Sequence, residues 1–207
     1  MSKALLVIDI QNDFLPGGSL AVPRGDEILP AANRLLGLKG FFSLKVASQD
    51  WHPKNHGSFA SQHPGQKPGV SIILNGLPQI LWPDHCVQGS SGAAFHSSIN
   101  VDSFDKIFQK GTDPSTDSYS AFFDNGHRKA TGLGDFLKAK GVKQTFVVGL
   151  ATDYCIKFSA LDSAKLGFDT FLIEDACRGV NLKPSDSREA VQEMRAAGVE
   201  VLQSSEI

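Results

Sequence analysis

Four residues of this 207-residue chain stand out for the chemistry their types and settings allow: Asp9, Asp50, Lys110 and Cys155. Cys155 closes GLATDYC (149–155), between the apolar run TFVV and the helical pattern IKFSALDSAKLG. A thiol in the first turn of a helix meets free backbone N–H groups and the positive end of the helix dipole. Both stabilise a thiolate, and the same N–H groups could hold a developing oxyanion. A buried structural cysteine accounts for the residue equally simply, and that is the reading for Cys86 and Cys177. Asp9 follows five apolar residues, where desolvation raises a carboxyl pKa and suits it to proton transfer. The plain alternative is a loop-capping aspartate. Lys110 ends FDKIFQK and precedes Gly111. A cation there could hold Asp9 ionised or lower a nearby thiol pKa, or it could be a solvated strand-end lysine.

A second cluster is Asp50-Trp51-His52, with His56, His63 and His85 in the loop that follows. Asp-x-His at the end of a strand puts two ligand-capable side chains on one face, because strand side chains alternate. A third imidazole would complete a metal site with room for water; surface histidines in a polar loop are the alternative. Phe14, Trp51, Trp82, Tyr119 and Tyr154 lie beside these polar residues in sequence. Their flat rings suit an aromatic ligand, while core packing explains any one of them singly.

The elements that must position these groups alternate. Strands are predicted over 3–10, 43–50, 104–110, 144–150, 168–175 and 199–203. Helices are predicted over 28–36, 131–140, 153–166 and 186–197. Thr152 is the expected cap of the third helix, and Asp186 with Glu189 the capping pair of the fourth. Gly141, Gly167 and Gly198 are the expected stops. This alternation implies one α/β domain over 1–207, a doubly wound parallel sheet with helices on both faces. In such sheets ligands bind beyond the carboxyl ends of the strands. Asp9, Asp50, Lys110 and the GLATDYC corner all fall there, which points to an enzyme. Residues 51–103 depart from the pattern. They form a long stretch rich in Gly, Pro, His, Ser and Asn with two short apolar runs, read as a metal-binding and lid loop.

Hydrophobic residues make up 41% of the chain and charged residues 20%, and the formal net charge is −2. No basic cluster makes a case for nucleic acid or a membrane surface. The apolar N-terminal run is too short for a signal, and no run approaches the ~18 residues of a bilayer span. Three cysteines without framework spacing fit free thiols and a cytoplasmic location.

Taken together, VIDIQNDF (7–14), ASQDWHPKNHGSF (47–59), WPDHCVQGS (82–90), FQKGTDPSTDSYSAFFDN (108–125) and GLATDYC (149–155) resemble the nicotinamidases, or pyrazinamidases, of the isochorismatase-like cysteine hydrolases. The likeness runs from about residue 4 to 202 and rests on five motifs in order. It implies a six-stranded parallel sheet between helices and a catalytic triad of Asp9, Lys110 and Cys155. It also implies one divalent transition metal on Asp50, His52 and His85, zinc first, with iron or manganese as the alternatives. Family members differ over a further loop histidine, here His56 on a shorter spacing. The resemblance implies a cis peptide at Leu150–Ala151 that aims the N–H groups of Ala151 and Cys155 at an oxyanion. Phe14, Trp82, Tyr119 and Tyr154 would line the ring slot. The activity implied is hydrolysis of nicotinamide, and of pyrazinamide, through a cysteine thioester. A metal-containing amidase for another aromatic carboxamide, a hydrolase using metal-activated water, and a non-catalytic pyridine-binding protein are the alternatives. A small-molecule partner is implied; the oligomeric state, a homo-oligomer included, is left open.

Overall fold

In the computed structural model, which describes residues 2–207, six parallel strands form one sheet. β1 (Ser2–Ile8) and β2 (Leu44–Asp50) are followed by a two-stranded hairpin, β3 (Ser71–Leu74) and β4 (Leu77–Ile80). β5 (Lys106–Lys110), β6 (Val142–Leu150), β7 (Asp169–Arg178) and β8 (Glu200–Leu202) complete the sheet in the order β5-β2-β1-β6-β7-β8. The continuous apolar run of β1 is what a strand covered on both faces requires. Ala4, Leu6 and Ile8 enter one core, with Leu133, Leu137, Ile156, Ala160 and Met194. Leu5 and Val7 enter the other, with Ile28, Ala32 and Leu35. Helix α1 (Leu29–Gly37) therefore lies on one side of the sheet. α2 (Leu133–Ala139), α3 (Lys157–Lys165) and α4 (Asp186–Ala196) lie on the other.

Gly141, Gly167 and Gly198 follow their helices with φ of 68°, 90° and 87°, as stop signals do. The predicted N-caps differ. Thr152 makes no capping hydrogen bond, because Thr152–Ile156 is a π-helical turn that precedes α3. At α4 the flanking residue is Ser185. The Asp186 carboxylate instead accepts from Lys183 N–H at 2.8 Å, reaching back into the preceding turn. β7 also runs past residue 175. After an irregularity beside Val147, its pairing resumes at Gly149 with Cys177 and at Leu150 with Arg178, so Cys177 is inside the strand. The hairpin within the long loop turns on Asn75 and Gly76, with φ of 49° and 80°. An Asn-Gly pair between two apolar runs is the sequence signal for that type of turn. No helix among the described residues is long and apolar enough to cross a membrane.

Gly149 sets how closely β1 and β6 can approach. Its φ is 126°, and a Cβ there would stand 2.0 Å from Ile8 O. Gly149→Ala should therefore lower the thermal unfolding midpoint well beyond the ~1 kcal/mol of an ordinary glycine replacement. A variant melting with the parent would show that this contact does not govern the sheet.

Candidate active site

The sheet register brings the four chemical residues together. Asp50 and Lys110 are paired neighbours at the ends of β2 and β5. Ile8, the last residue of β1, pairs with Ser48 on one side and Gly149 on the other. The chain then leaves β1 through Asp9, whose φ of 49° turns it out of the strand. Lys110 is 2% exposed. Its Nζ donates to Asp50 Oδ1, to Ser118 O at 2.8 Å and toward Cys155 Sγ at 3.4 Å. Asp9 Oδ2 lies 2.9 Å from the same ammonium, yet that oxygen receives no well-directed hydrogen bond. The contact is chiefly one of charge, and the same carboxylate also faces the Cys155 thiol. Asp9 Oδ1 accepts from Ser48 Oγ at 2.7 Å. An oxygen of Asp9, an oxygen of Asp50 and Cys155 Sγ all lie within 4.8 Å of one another.

Burial and charge set the protons. Burial pushes Asp9 up to about 6, against the pull of Lys110, and the neighbouring Asp50 charge adds to the rise. Burial works the same way on Asp50, but Lys110, His52 and His85 outweigh it and hold that carboxyl well below the usual range. Lys110 is buried, which lowers an ammonium pKa, yet Asp50 and Asp9 keep it firmly protonated. Burial lifts the Cys155 thiol well above 9, and Lys110 offsets only part of this. Of the two readings offered for Cys155, burial favours the protonated thiol over a stored thiolate, which suits Asp9 as the group that takes its proton. The helix start that would have stabilised a thiolate is a buried π-turn, and the thiol keeps its proton beside an ionised Asp9 at neutral pH.

The metal-ligand candidates converge as well. Ligand atoms of Asp50, His52 and His85 lie within 4.8 Å of one another, and all three residues are buried. His52 Nδ1–H donates to Gly111 O and His85 Nδ1–H to Pro83 O, each at 2.8 Å. Against its burial, Asp50 raises the His52 pKa toward the charged form. A carbonyl can only accept, however, so Nδ1 keeps its proton in both rings, and the atoms left for a metal are the two Nε2. They face Asp50 Oδ2 at 3.6 and 3.9 Å. Orientation of a ligating imidazole by a carbonyl on its far nitrogen is the usual support of a metal site. Burial and His52 hold His85 down at about 4, which favours the lone-pair form. Gly111 makes room for this arrangement, since a Cβ there would stand 2.3 Å from the His52 ring. The donor set fits one divalent transition metal. His56 falls in a second group, with His52 and Asp117, and its Nε2 is buried without a partner. His63 stays outside, bonded to Gly57 O.

Phe14, Trp82, Tyr119 and Tyr154 line one slot with Asp50, His85 and Cys155. Trp82 stands edge-on to Tyr154 at 5.0 Å, and Trp82 Nε1–H donates to Tyr119 Oη at 3.2 Å. Trp51 packs instead against the core on the α1 side. Ala151 lies at the floor of the slot beside Cys155, and the peptide Leu150–Ala151 is cis. A wide groove of about 530 Å³ outside the slot shares Tyr119 and Tyr154 with it.

Several site residues were not singled out in the sequence. Asp117, Leu20 and Val180 also line the slot. Gln11 is fully buried and clamps the Asp50 backbone, donating to Asp50 O and accepting from Asp50 N–H, both at 2.8 Å. Asp153 accepts from Val180 N–H at 2.9 Å and Asn181 N–H at 2.7 Å, tying the nucleophile turn to the loop before α4. Gln11 offers the one cue, as the first polar residue after Ile10, two places beyond Asp9.

The isochorismatase domain matches residues 3–206, and the chain belongs to that family. It is 52% identical to the nicotinamidase of Escherichia coli over 95% of this chain and 92% of that one. Its fold superposes on a nicotinamidase/pyrazinamidase structure from Acinetobacter baumanii with a TM-score of 0.94 and 45% identity, covering 99% of this chain and 97% of that one. A pyrazinamidase from Pyrococcus horikoshii, solved in complex with zinc, gives a TM-score of 0.80 and 37% identity over 98% and 99% of the two chains.

The raised thiol has a direct readout. Alkylation of Cys155 by iodoacetamide, located by peptide mapping, should be slow at neutral pH and still accelerating as pH approaches 9. A rate already at its plateau at pH 7 would mean a resting thiolate and contradict this electrostatic picture.

Proposed function

We propose that the protein hydrolyses nicotinamide to nicotinate and ammonia, and pyrazinamide likewise, with Cys155 as nucleophile. One observation carries this reading: Cys155 Sγ sits beside an Asp9 carboxylate oxygen and 3.4 Å from the Lys110 ammonium, under an aromatic slot. The identity to the Escherichia coli nicotinamidase supports it.

A divalent metal held by Asp50, His52 and His85 would supply a Lewis-acidic anchor for the ring nitrogen, and zinc is the ion we assign, supported by the zinc-bound relative. Phe14, Trp82, Tyr119 and Tyr154 hold the ring so that its carboxamide lies over Cys155. Asp9 takes the thiol proton as Sγ attacks the carbonyl carbon. Because the thiol pKa is raised, transfer and attack proceed together rather than through a stored thiolate. The N–H groups of Ala151 and Cys155 receive the oxyanion. Asp9 returns the proton to the departing ammonia, leaving a thioester. It then draws a proton from the water that releases nicotinate. Lys110 stays charged throughout and stabilises whichever of Asp9 or Cys155 is anionic. The segment 51–103 supplies His52, His85 and Trp82 and serves as the wall through which substrate enters. The three free thiols support a reducing, cytoplasmic setting.

Ammonia release from nicotinamide, with elemental analysis of the same sample, is the primary test. Cys155→Ala should lose roughly three or more orders of magnitude in kcat; near-parental turnover would end the covalent route. The acid limb of kcat/KM should follow Asp9. The site is active with Asp9 ionised, so activity should rise with pH through about 6 and level off above it. The stability term has the opposite sense. Asp9 is raised above its ordinary 3.8, so it favours the folded state at low pH, and that contribution is lost as pH rises through about 6. A profile flat down to pH 4 would remove Asp9 as the base.

A further inference from the structure

A second groove, of about 480 Å³, lies behind the nucleophile turn, and no step of the amide chemistry uses it. Four arginines and a single carboxylate, Glu174, line it, although the chain as a whole carries a net charge of −2. The arginines come from opposite walls. Arg188 and Arg195 stand seven residues apart on α4, with Gln192 between them, and that spacing places all three on one helix face. Arg24 and Arg178 come from the other wall.

Of the nearby carboxylates, Glu27 is taken up by Arg178, whereas Glu174 meets only a neutral amide and offsets the charge of one of the four arginines. Arg178 and Glu27 pair at 3.0 Å, and Arg178 also donates to Cys177 O at 2.7 Å. Glu174 accepts from Gln203 Nε2 at 3.2 Å. Arg24 is largely exposed and reaches Glu27 only at 3.9 Å. Arg188 and Arg195 make no ion pair among the described residues. Three guanidinium groups are thus available to one groove of small-ligand size. Guanidinium is matched to phosphate by its planar fork of donors. The α4 pair starts about 10 Å apart along the helix, which suits two anionic groups better than one. No aromatic side chain lines the groove, so nothing there would stack on a base.

We propose that this arginine-lined groove binds a small compound carrying two or more phosphate groups. The ligand would rest against Thr152, the first residue of the turn that carries Cys155. Asp153 of that turn holds Val180 and Asn181, and Asn181 in turn accepts from Ser187 N–H at the start of α4 at 2.9 Å. The groove and the nucleophile therefore share one hydrogen-bonded frame.

The test is isothermal titration of the full, metal-loaded chain with sodium pyrophosphate at fixed ionic strength, with inorganic phosphate and a short single-stranded oligonucleotide as parallel probes. Saturable one-to-one binding of pyrophosphate is expected, tighter than that of phosphate. The double variant R188Q/R195Q should weaken it roughly tenfold or more while keeping the parental circular dichroism and Cys155 alkylation rate. Three results would each overturn the proposal: no saturable binding, equal binding by parent and double variant (which would place pyrophosphate on the metal), or binding of the oligonucleotide in place of pyrophosphate. Phosphate binding as tightly as pyrophosphate would overturn the assignment to a ligand with more than one phosphate.

Discussion

The structure depends on one buried cation. An ammonium withdrawn from water is costly, and Lys110 is tolerated because Asp50, Asp9 and the Ser118 carbonyl surround it. Removing any one charged partner from such a group leaves an uncompensated charge, typically at a cost of about 3–5 kcal/mol. The sheet must therefore close with the end of β5 beside the end of β2, and the chain after β1 must turn so that Asp9 reaches the same point. The left-handed backbone at Asp9 and the paired register of Asp50 and Lys110 both meet this requirement. The cysteine then finds a site whose electrostatics are already set.

Asp50 links the two halves of that site. One carboxylate oxygen belongs to Lys110 and the other faces His52 and His85. The interactions that keep it ionised are therefore the same ones that orient it toward the imidazoles. Gln11 fixes its backbone from behind with a two-way side-chain clamp. A neighbouring carboxylate, Asp9, lacks this support and titrates near 6. Two aspartates in one buried cluster thus take different protonation roles from their partners alone.

The sheet and the placement of its chemistry were legible in the sequence because both depend on local patterns. Apolar runs such as KALLVI mark strands covered on two faces, and the polar residues that follow them mark strand ends. Glycines such as Gly141 and Gly198 stop helices for a backbone reason that one residue can signal. What stayed hidden depends on partners distant in sequence. The capping expectation for Thr152 failed because a π-turn packed under β6 took its place. The role of Asp153 needs Val180 and Asn181, whose position follows from where β7 ends, and that strand runs three residues beyond its apolar signal. Asp117 reads as one acidic residue among several in a polar loop until the fold sets it beside His52 and His56. For Cys155 the sequence shows a helix start but not the burial that acts against it.

Lys110 and Gly111 are consecutive, and they serve different halves of the site. Lys110 sends its side chain to Asp9 and Cys155, while Gly111 offers its carbonyl to His52 and, by lacking a side chain, leaves space for that ring. The cation beside the nucleophile and a support of the metal pocket are thus mounted on one peptide unit. An insertion or a shifted backbone at this bend would displace both together. The aromatic walls at Phe14 and Tyr154 stand on other segments and share no backbone with this bend.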